Sequence, residues 1–440
     1  MKKILLCAIV FALFSFTANI SAEEYDLARY LALVERNNPD LLVMFKDIEL
    51  AKTDVALARS MFLPRAGVQS GYNRNLIDRT QSMAVASQPG GGQLIFQDVR
   101  TNYDNELTLG VGVSQMLYSA GAISNFNKAK LAQAIREQSY EAARLSVLTA
   151  AKKLYHRAQL ALLVVEIREN SERFSLEQYQ RVQRRYQAGA SAEMELLSAE
   201  VNWMTKADAV VEAKRNTQLV LLAFCDLAGI PHSQEIILTE EHTDYPEIPQ
   251  TPGIENILAN RPDYNSLLLS RELNDIDRRA SMGAFLPEVS ASFNYALGTM
   301  GNSSSFIGDY NFNSASFGIT VNIPILTGGA RIARIRAAAL AQERTNLNIA
   351  RKEAAIENEI YELQIRLEEG MRRLESSYRT VEAARRAVAS AQNALTNGQA
   401  TYLNVMDAQD RLDMVWLNFV NVNFEVLSAY YDWELAVGLR

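Results

Sequence analysis

Phe285-Leu286-Pro287-Glu288-Val289-Ser290-Ala291-Ser292-Phe293-Asn294-Tyr295-Ala296-Leu297 decides how this chain is read. The proline ends a helix-compatible segment. After it Val289, Ala291, Phe293, Tyr295 and Leu297 alternate with Ser290, Ser292, Asn294 and Ala296, the period of a strand with one apolar face. The opening tripeptide has an earlier copy, Phe62-Leu63-Pro64. Working outward, Pro287 follows Pro262 at the same interval at which Pro64 follows Pro39. Both intervals begin with a Pro-Asp step, in Asn38-Pro39-Asp40 and Arg261-Pro262-Asp263. Ser119-Ala120-Gly121-Ala122 is echoed by Thr327-Gly328-Gly329-Ala330. The stretch from Gly121 to Gly189 is a single position shorter than that from Gly329 to Gly398, and the stretches onward to Gly229 and to Gly438 are equal. Such matched punctuation predicts a two-fold internal repeat. Repeat one is 26–231, an equatorial connection is 232–253 and repeat two is 254–440, all within a single elongated protomer, 23–440.

Residues 122–188 and 330–397 hold almost no helix breaker and are rich in Ala, Leu, Glu, Gln, Lys and Arg, all good helix formers. In the second stretch Ile356, Ile360, Leu363, Leu367, Met371, Leu374, Tyr378, Val381, Val388 and Leu395 recur mostly in steps of three and four, a coiled-coil signal. Gly370 reads as a flaw worth about 1 kcal/mol. A helix of this kind is roughly 100 Å long. After Gly189 and Gly398 the helical pattern resumes and has to run back antiparallel. Leu27–Met61 and Ile254–Ala284 add one more helical leg to each half.

Four strands are expected, near 65–77, 105–117, 288–298 and 313–325. Leu107, Leu109, Val111 and Val113 alternate with Thr108, Gly110, Gly112 and Ser114; Ala315, Phe317, Ile319, Val321 and Ile323 alternate with Ser316, Gly318, Thr320 and Asn322. Arg65–Ile77 is the weakest, marked by Val68 and Tyr72. One such strand suits a soluble sandwich. Two hairpins at equivalent places between long helices, behind an N-terminal leader, favour outer-membrane strands with lipid on one side and water on the other. The connections 78–104, with Gln88-Pro89-Gly90-Gly91-Gly92, and 298–312, with Asn302-Ser303-Ser304-Ser305, read as external loops. Four strands cannot close a barrel, and an open edge in lipid leaves backbone groups unsatisfied. Two chains would supply eight strands and three would supply twelve. An eight-stranded barrel is filled by its own side chains, which the small residues of the polar face do not suit, so three chains are expected.

Residues 1–22 read as a signal peptide: Lys2 and Lys3, an apolar run from Ile4 to Phe16, and Ser21-Ala22 as the cleavage site. The run is short for a membrane-spanning anchor. Cys7 lies inside it, which leaves Cys225 as a lone, small buried residue near a helix end. Lys and Arg number 44 against 51 Asp and Glu, a net charge of −7, so there is no basic footprint for nucleic acid. His156, His232 and His242 show no metal-ligand spacing, and His156 reads as a helix-surface residue. No phosphate loop or nucleophile elbow is present. Gly110-Val111-Gly112 lies inside a strand and Glu368-Glu369 on a helix surface. The chain is read as neither an enzyme nor a binder of metal or cofactor.

The paired Asn-Pro and Arg-Pro helix starts, the two Phe-Leu-Pro joints and Tyr118-Ser119-Ala120-Gly121-Ala122 stand in a fixed order. With them come Tyr186-Gln187-Ala188-Gly189 before Glu195-Leu196-Leu197, and Asn397-Gly398 before Asn404-Val405-Met406-Asp407-Ala408. On these marks the chain resembles the TolC-type outer-membrane efflux protein family over essentially all of its sequence beyond the leader. The resemblance implies a mainly α fold with membrane β: a homotrimer whose long antiparallel coiled-coil helices form an α-barrel and whose four strands per chain join a twelve-stranded β-barrel. It places 229–253, with Gly229-Ile230-Pro231, Pro246, Pro249 and Pro252, in an irregular belt. It implies passive passage for drugs, toxins or proteins handed over by an inner-membrane RND or ABC pump through a periplasmic adaptor, and contact with outer-membrane lipid.

By the same resemblance, Glu195, Asn404 and Asp407 stand at the periplasmic entrance. Asn404 replaces an aspartate often found there, and Ala400 stands where some members carry a locking arginine. The tips Gly189, Ala190, Gly398 and Gln399 are the implied adaptor contact. Pro64, Gly121, Pro287 and Gly329 are the helix–strand junctions. The competing reading is a structural or adaptor-like periplasmic coiled-coil protein without a pore. It accounts for the helices and the leader but leaves four symmetrically placed amphipathic strands unexplained.

Overall fold

The computed structural model describes residues 23–87, 94–239, 250–302 and 310–439. The expected leader with Cys7, the glycines at 90–92, His242, Pro246, Pro249 and Ser303-Ser304-Ser305 lie outside the described residues. In chain order, β1 (Glu23–Tyr25), α1 (Leu27–Asn37) and α2 (Pro39–Ser60) precede β2 (Arg65–Arg74), β3 (Thr80–Ser87), β4 (Leu94–Arg100) and β5 (Asn105–Tyr118). Next come α3 (Ala120–Gln187), α4 (Glu193–Ala228), β6 (Ile236–Leu238), α5 (Ile254–Asn260) and α6 (Pro262–Gly283). The chain ends in β7 (Glu288–Gly301), β8 (Tyr310–Asn322), α7 (Ala330–Thr396) and α8 (Tyr402–Ala436).

Each of the two expected helical legs is broken before a proline, because the residue preceding proline is pushed out of the helical region. Asn38 has φ −59° and ψ 123°, and Arg261 has φ −86° and ψ 112°. Both side chains pin their break to a helix end. Asn38 Nδ2 donates to the Leu227 carbonyl at 3.1 Å while its Oδ1 accepts from the backbone of Asp40 and Leu41. Arg261 Nη1 donates to the Ala436 carbonyl at 3.1 Å and to Glu359 at 2.8 Å, and its Nη2 reaches Asp263 at 2.9 Å.

The chain falls into two compact units. One comprises Ile48–Ile135 and Leu269–Leu347. It holds a four-stranded sheet in the order β2-β5-β7-β8, antiparallel throughout. Its register sets Ala66 beside Val113, Val113 beside Phe293 and Phe293 beside Phe317; Val68, Val111, Tyr295 and Ala315 form the neighbouring row. The alternation read in the sequence thus gives one continuous apolar face, with Val68 73% and Phe317 70% exposed. The opposite face carries Gly67, Gly112, Asn294 and Ser316 and, in the next row, Gln69, Gly110, Ala296 and Ser314. Among the described residues nothing pairs with the outer edges of β2 and β8. The connection 78–104 is not wholly loop: β3 and β4 form their own two-stranded antiparallel sheet, with a bulge between Ala84 and Ala86.

The other unit takes in the residues up to Asp47, Arg136–Leu268 and those from Asn348 onward. β1 pairs in parallel with β6, Glu23 beside Ile236 and Tyr25 beside Leu238, so part of the connection expected to be irregular is strand. Tyr30 stacks on Phe224 with ring centroids 3.8 Å apart, and Tyr25 and Tyr155 close the same core. A second core gathers Ile257, Tyr264, Ile356, Leu363 and Trp433. In α7 the expected apolar series is buried from Ile356 to Val388, except that Met371 is only partly buried and Tyr378 is 55% exposed. Gly370 is not a flaw: a Cβ there would stand 2.8 Å from Val426 Cγ2, so only glycine lets α8 pack this closely. His156 is not on the surface. It is buried between α3 and α8, with Nε2 2.8 Å from Tyr431 Oη and Nδ1 2.8 Å from Gln159 Oε1. Cys225 is buried three residues before the end of α4, as expected. No helix among the described residues is long and apolar enough to cross a membrane.

Candidate functional site

The two tips are built alike. At the end of α3, Gly189 N–H donates to Tyr186 O at 2.9 Å and Ala190 N–H to Arg185 O at 2.8 Å; at the end of α7, Gly398 N–H donates to Leu395 O and Gln399 N–H to Ala394 O. These are paired Schellman caps, with φ 72° at Gly189 and 73° at Gly398. Arg185 Nη2 also donates to Ala190 O at 3.2 Å. Proline cannot adopt a positive φ, so Gly189→Pro or Gly398→Pro should open a tip. Both variants are expected to melt at a lower temperature than the wild type, since each loses its left-handed cap; an unchanged melting temperature would mean that the caps contribute nothing to stability.

The helix starts after the tips carry the expected entrance residues. Glu195, in the first turn of α4, is half-buried and accepts from Ser191 Oγ. Its charge favours the helix start. Asn404 is committed to the backbone: its Oδ1 accepts from Thr401 N–H at 2.9 Å and from Thr401 Oγ1 at 2.6 Å, half of a capping box. Asp407 is exposed and pairs with Arg411 at 3.0 Å. Tyr402, Val182 and Ala199 form a small buried core that brings α3, α4 and α8 together. The Tyr402 hydroxyl is pushed up to about 12, by burial first and then by the charges of Asp410 and Glu195.

Sequence reasoning missed a second polar group in this unit. Asp413 is buried on α8 and accepts from Ser171 of α3, from Gln409 Nε2 at 2.9 Å and from Lys206 Nζ of α4 at 3.1 Å. Lys206 also reaches Asp410 at 2.7 Å. Burial would lower the Lys206 pKa, but its bonds to the two aspartates outweigh that and raise it. Three helices are thereby tied by one carboxylate. A groove of about 830 Å³ opens beside it, bounded by Met194, Leu197, Val201 and Lys206. Ser171 and Lys206 lie 242 and 207 residues from Asp413, and no local pattern announces them.

The junctions differ between the halves. Before Pro64 and Pro287 the helix ends tighten alike, Leu63 N–H donating to Ser60 O and Leu286 N–H to Gly283 O. After β5, Ser119 Oγ accepts from Ala122 N–H and donates to Glu288, and Gly121 has no left-handed backbone. After β8, Gly328 and Gly329 are both left-handed, at φ 57° and 81°.

A family model described as "Outer membrane efflux protein" matches residues 30–229 and 253–438. The chain belongs to the outer membrane efflux protein family. Outer membrane protein TolC of Vibrio cholerae is 21% identical over 448 residues, spanning 100% of this chain and 96% of TolC. Alkaline protease secretion protein AprF of Pseudomonas aeruginosa is 21% identical over 324 residues, 73% of this chain and 64% of AprF. The crystal structure of the Campylobacter jejuni CmeC outer membrane channel matches the fold with a TM-score of 0.78 at 20% identity, covering 94% of this chain and 85% of CmeC. This TolC-family member is therefore an outer-membrane transport protein, and its family consists of channel proteins rather than enzymes.

Proposed function

We propose that three copies of this chain close one twelve-stranded barrel in the outer membrane and form the passive duct of a tripartite export system. The four-stranded sheet carries this reading. It is apolar on one face and its two outer edges pair with nothing among the described residues, and in a bilayer such edges have to be paired. Identical chains meet that need by pairing β8 of one with β2 of the next around a closed ring. The small residues of the polar face favour three chains over two. A duplicated unit is supported by α3 and α7 of 68 and 67 residues, α4 and α8 of 36 and 35, and α2 and α6 of 22 each.

In this reading the tips at Gly189, Ala190, Gly398 and Gln399 lie in the periplasm and meet an adaptor bound to an inner-membrane RND or ABC pump. Drugs or other exported substrates pass through. Glu195 and Asp407 set the charge of the narrow end, while Asn404 serves as a cap. Three chains place six carboxylates around one axis, and such rings favour cations. Asp407→Asn also leaves Arg411 without its partner, which adds to the loss of negative field. Glu195→Gln with Asp407→Asn is expected to move the reversal potential of planar-bilayer channels toward zero under a salt gradient, more at low salt than at high salt. An unchanged reversal potential returns both residues to the role of helix-start charges. Recovery of the chain as a soluble monomer after outer-membrane extraction overturns the duct itself.

A further inference from the structure

We infer that the groove between the start of α3 and the end of α6 holds one anionic phospholipid of the adjoining leaflet per chain. The inference rests on reading the apolar face of the sheet as its lipid side. The groove measures about 580 Å³. The two helices meet across small residues at its sheet end, where a Cβ on Gly283 would stand 3.0 Å from Ala120 Cβ.

A bulge aims the groove at lipid. In β5 the even-numbered residues from Thr108 to Ser114 share the polar face, and unbroken alternation would put Tyr118 there too. The register shifts between Met116 and Tyr118, so that Tyr118 stands beside Val289. Val289 shares its face with Ala291, Phe293 and Tyr295. One extra residue therefore carries Tyr118 onto the apolar side, and Tyr118 lines the groove together with Ile123 and Leu286.

Polarity then follows the order of a phospholipid. Next along the groove come Ser124, Asn127 and Arg279. At about 1.5 Å rise per residue, Ser124 is about 6 Å and Asn127 about 10 Å into α3, and Arg279 is about 6 Å from the end of α6. Lys130 is farther along, but its ammonium lies 4.5 Å from the Phe126 ring centre, one turn back toward the sheet. Arg279 and Lys130 are exposed and pair with no carboxylate among the described residues, whereas the neighbouring Lys128 pairs with Asp277. The one acid lining the groove, Glu272, is at the end far from the sheet. Two cations beside hydroxyl and amide donors suit a phosphodiester, and the Tyr118 end suits an acyl chain. Since β5 and β7 are the central strands, pairing of the outer edges with neighbouring chains leaves this groove open.

The test uses the full chain purified in mild detergent, titrated with phosphatidylglycerol or phosphatidylcholine and read by native mass spectrometry. The expected result is one phosphatidylglycerol retained per chain, with phosphatidylcholine held about tenfold more weakly. Lys130→Gln with Arg279→Gln should weaken phosphatidylglycerol about tenfold and phosphatidylcholine less, because the choline ammonium already offsets the phosphate charge, so the preference between the two lipids shrinks. Lys130→Gln alone, at an exposed position, should show part of the loss if the double variant folds poorly. Arg271→Gln, on α6 outside the groove, should have no effect. Equal retention of phosphatidylglycerol by wild type and variants overturns the site, as does equal retention of the two lipids by the wild type. Displacement by inorganic phosphate at matched concentration overturns the lipid assignment. A chain that never enters the bilayer fails the lipid-facing reading instead, and is recognised beforehand as soluble protein.

Discussion

Phe317→Arg is expected to abolish assembly in the outer membrane, while Ser316→Arg, one residue away, is tolerated. Phe317 lies midway along β8, stands beside Phe293 and is 70% exposed on the apolar face. An arginine facing lipid at the bilayer midplane costs about 2–4 kcal/mol, and each copy in the assembly repeats that cost. Ser316 points the other way, toward the face proposed to line the duct, where a solvated arginine costs little. Val321 is a poorer position for this test, being next to the last residue of β8, where the penalty falls to about 0–1 kcal/mol. The measurement is the fraction of heat-modifiable protein recovered from outer membranes. Equal recovery of the two variants would mean that the faces have been assigned the wrong way round.

Arg261→Ala is expected to cost about 2–3 kcal/mol, the scale of lost hydrogen bonds to charged groups, because the guanidinium is buried while Asp263 and Glu359 stay partly solvated. Arg261 is buried and bonds to Asp263, Glu359 and the Ala436 carbonyl at the end of α8. Arg261→Lys keeps the charge but loses the fork, and should recover only part of the loss. Burial alone would raise the Asp263 pKa. Hydrogen bonds from Arg261 and Lys352, together with their charges, outweigh that and hold it at about 2, against an ordinary 3.8. The folded-state value is the lower one, so this contribution is present above about pH 4 and is lost as the pH falls toward 2. Melting temperatures of the wild type should therefore decline across that window, and those of Arg261→Ala should decline less. Parallel pH profiles would remove Asp263 as the cause.

The apolar and polar alternation of β5, β7 and β8 was legible because a sheet with two different faces writes its period into every residue. The ends of α3 and α7 were legible because a left-handed turn calls for glycine, and Gly189 and Gly398 interrupt long runs of helix formers. The hairpin β3–β4 was not: Thr80–Ser87 sets a polar half against the apolar run Met83–Ala86, lies beside a glycine-rich run and has no alternation. Nor was the strand Ile236–Leu238, since three residues carry no period. Near the tips, Glu195 and Asp407 could be placed at helix starts by motif, but the capping role of Asn404 depends on where the helix begins. His156 looked like a surface residue because its ring is capped by Tyr431, 275 residues away. Gly370 looked like a defect because the side chain that needs its space, Val426, belongs to another helix.

The short parallel pairing of β1 with β6 bears on the order of events during folding. Glu23 and Ile236 are partners, so the contact closes a loop that takes in every element from α1 to α4. Loop entropy grows only logarithmically, so the closure costs roughly 3–4 kcal/mol more than that of a short turn. It also cannot form until Leu238 is available to the folding chain. Yet Tyr25, the last residue of β1, accepts a hydrogen bond from Tyr155 Oη at 2.9 Å and belongs to the core around Tyr30 and Phe224. A segment close to the start of repeat one is thus among the last to find its place, and until it does, the first half of the chain is a ring with its clasp undone.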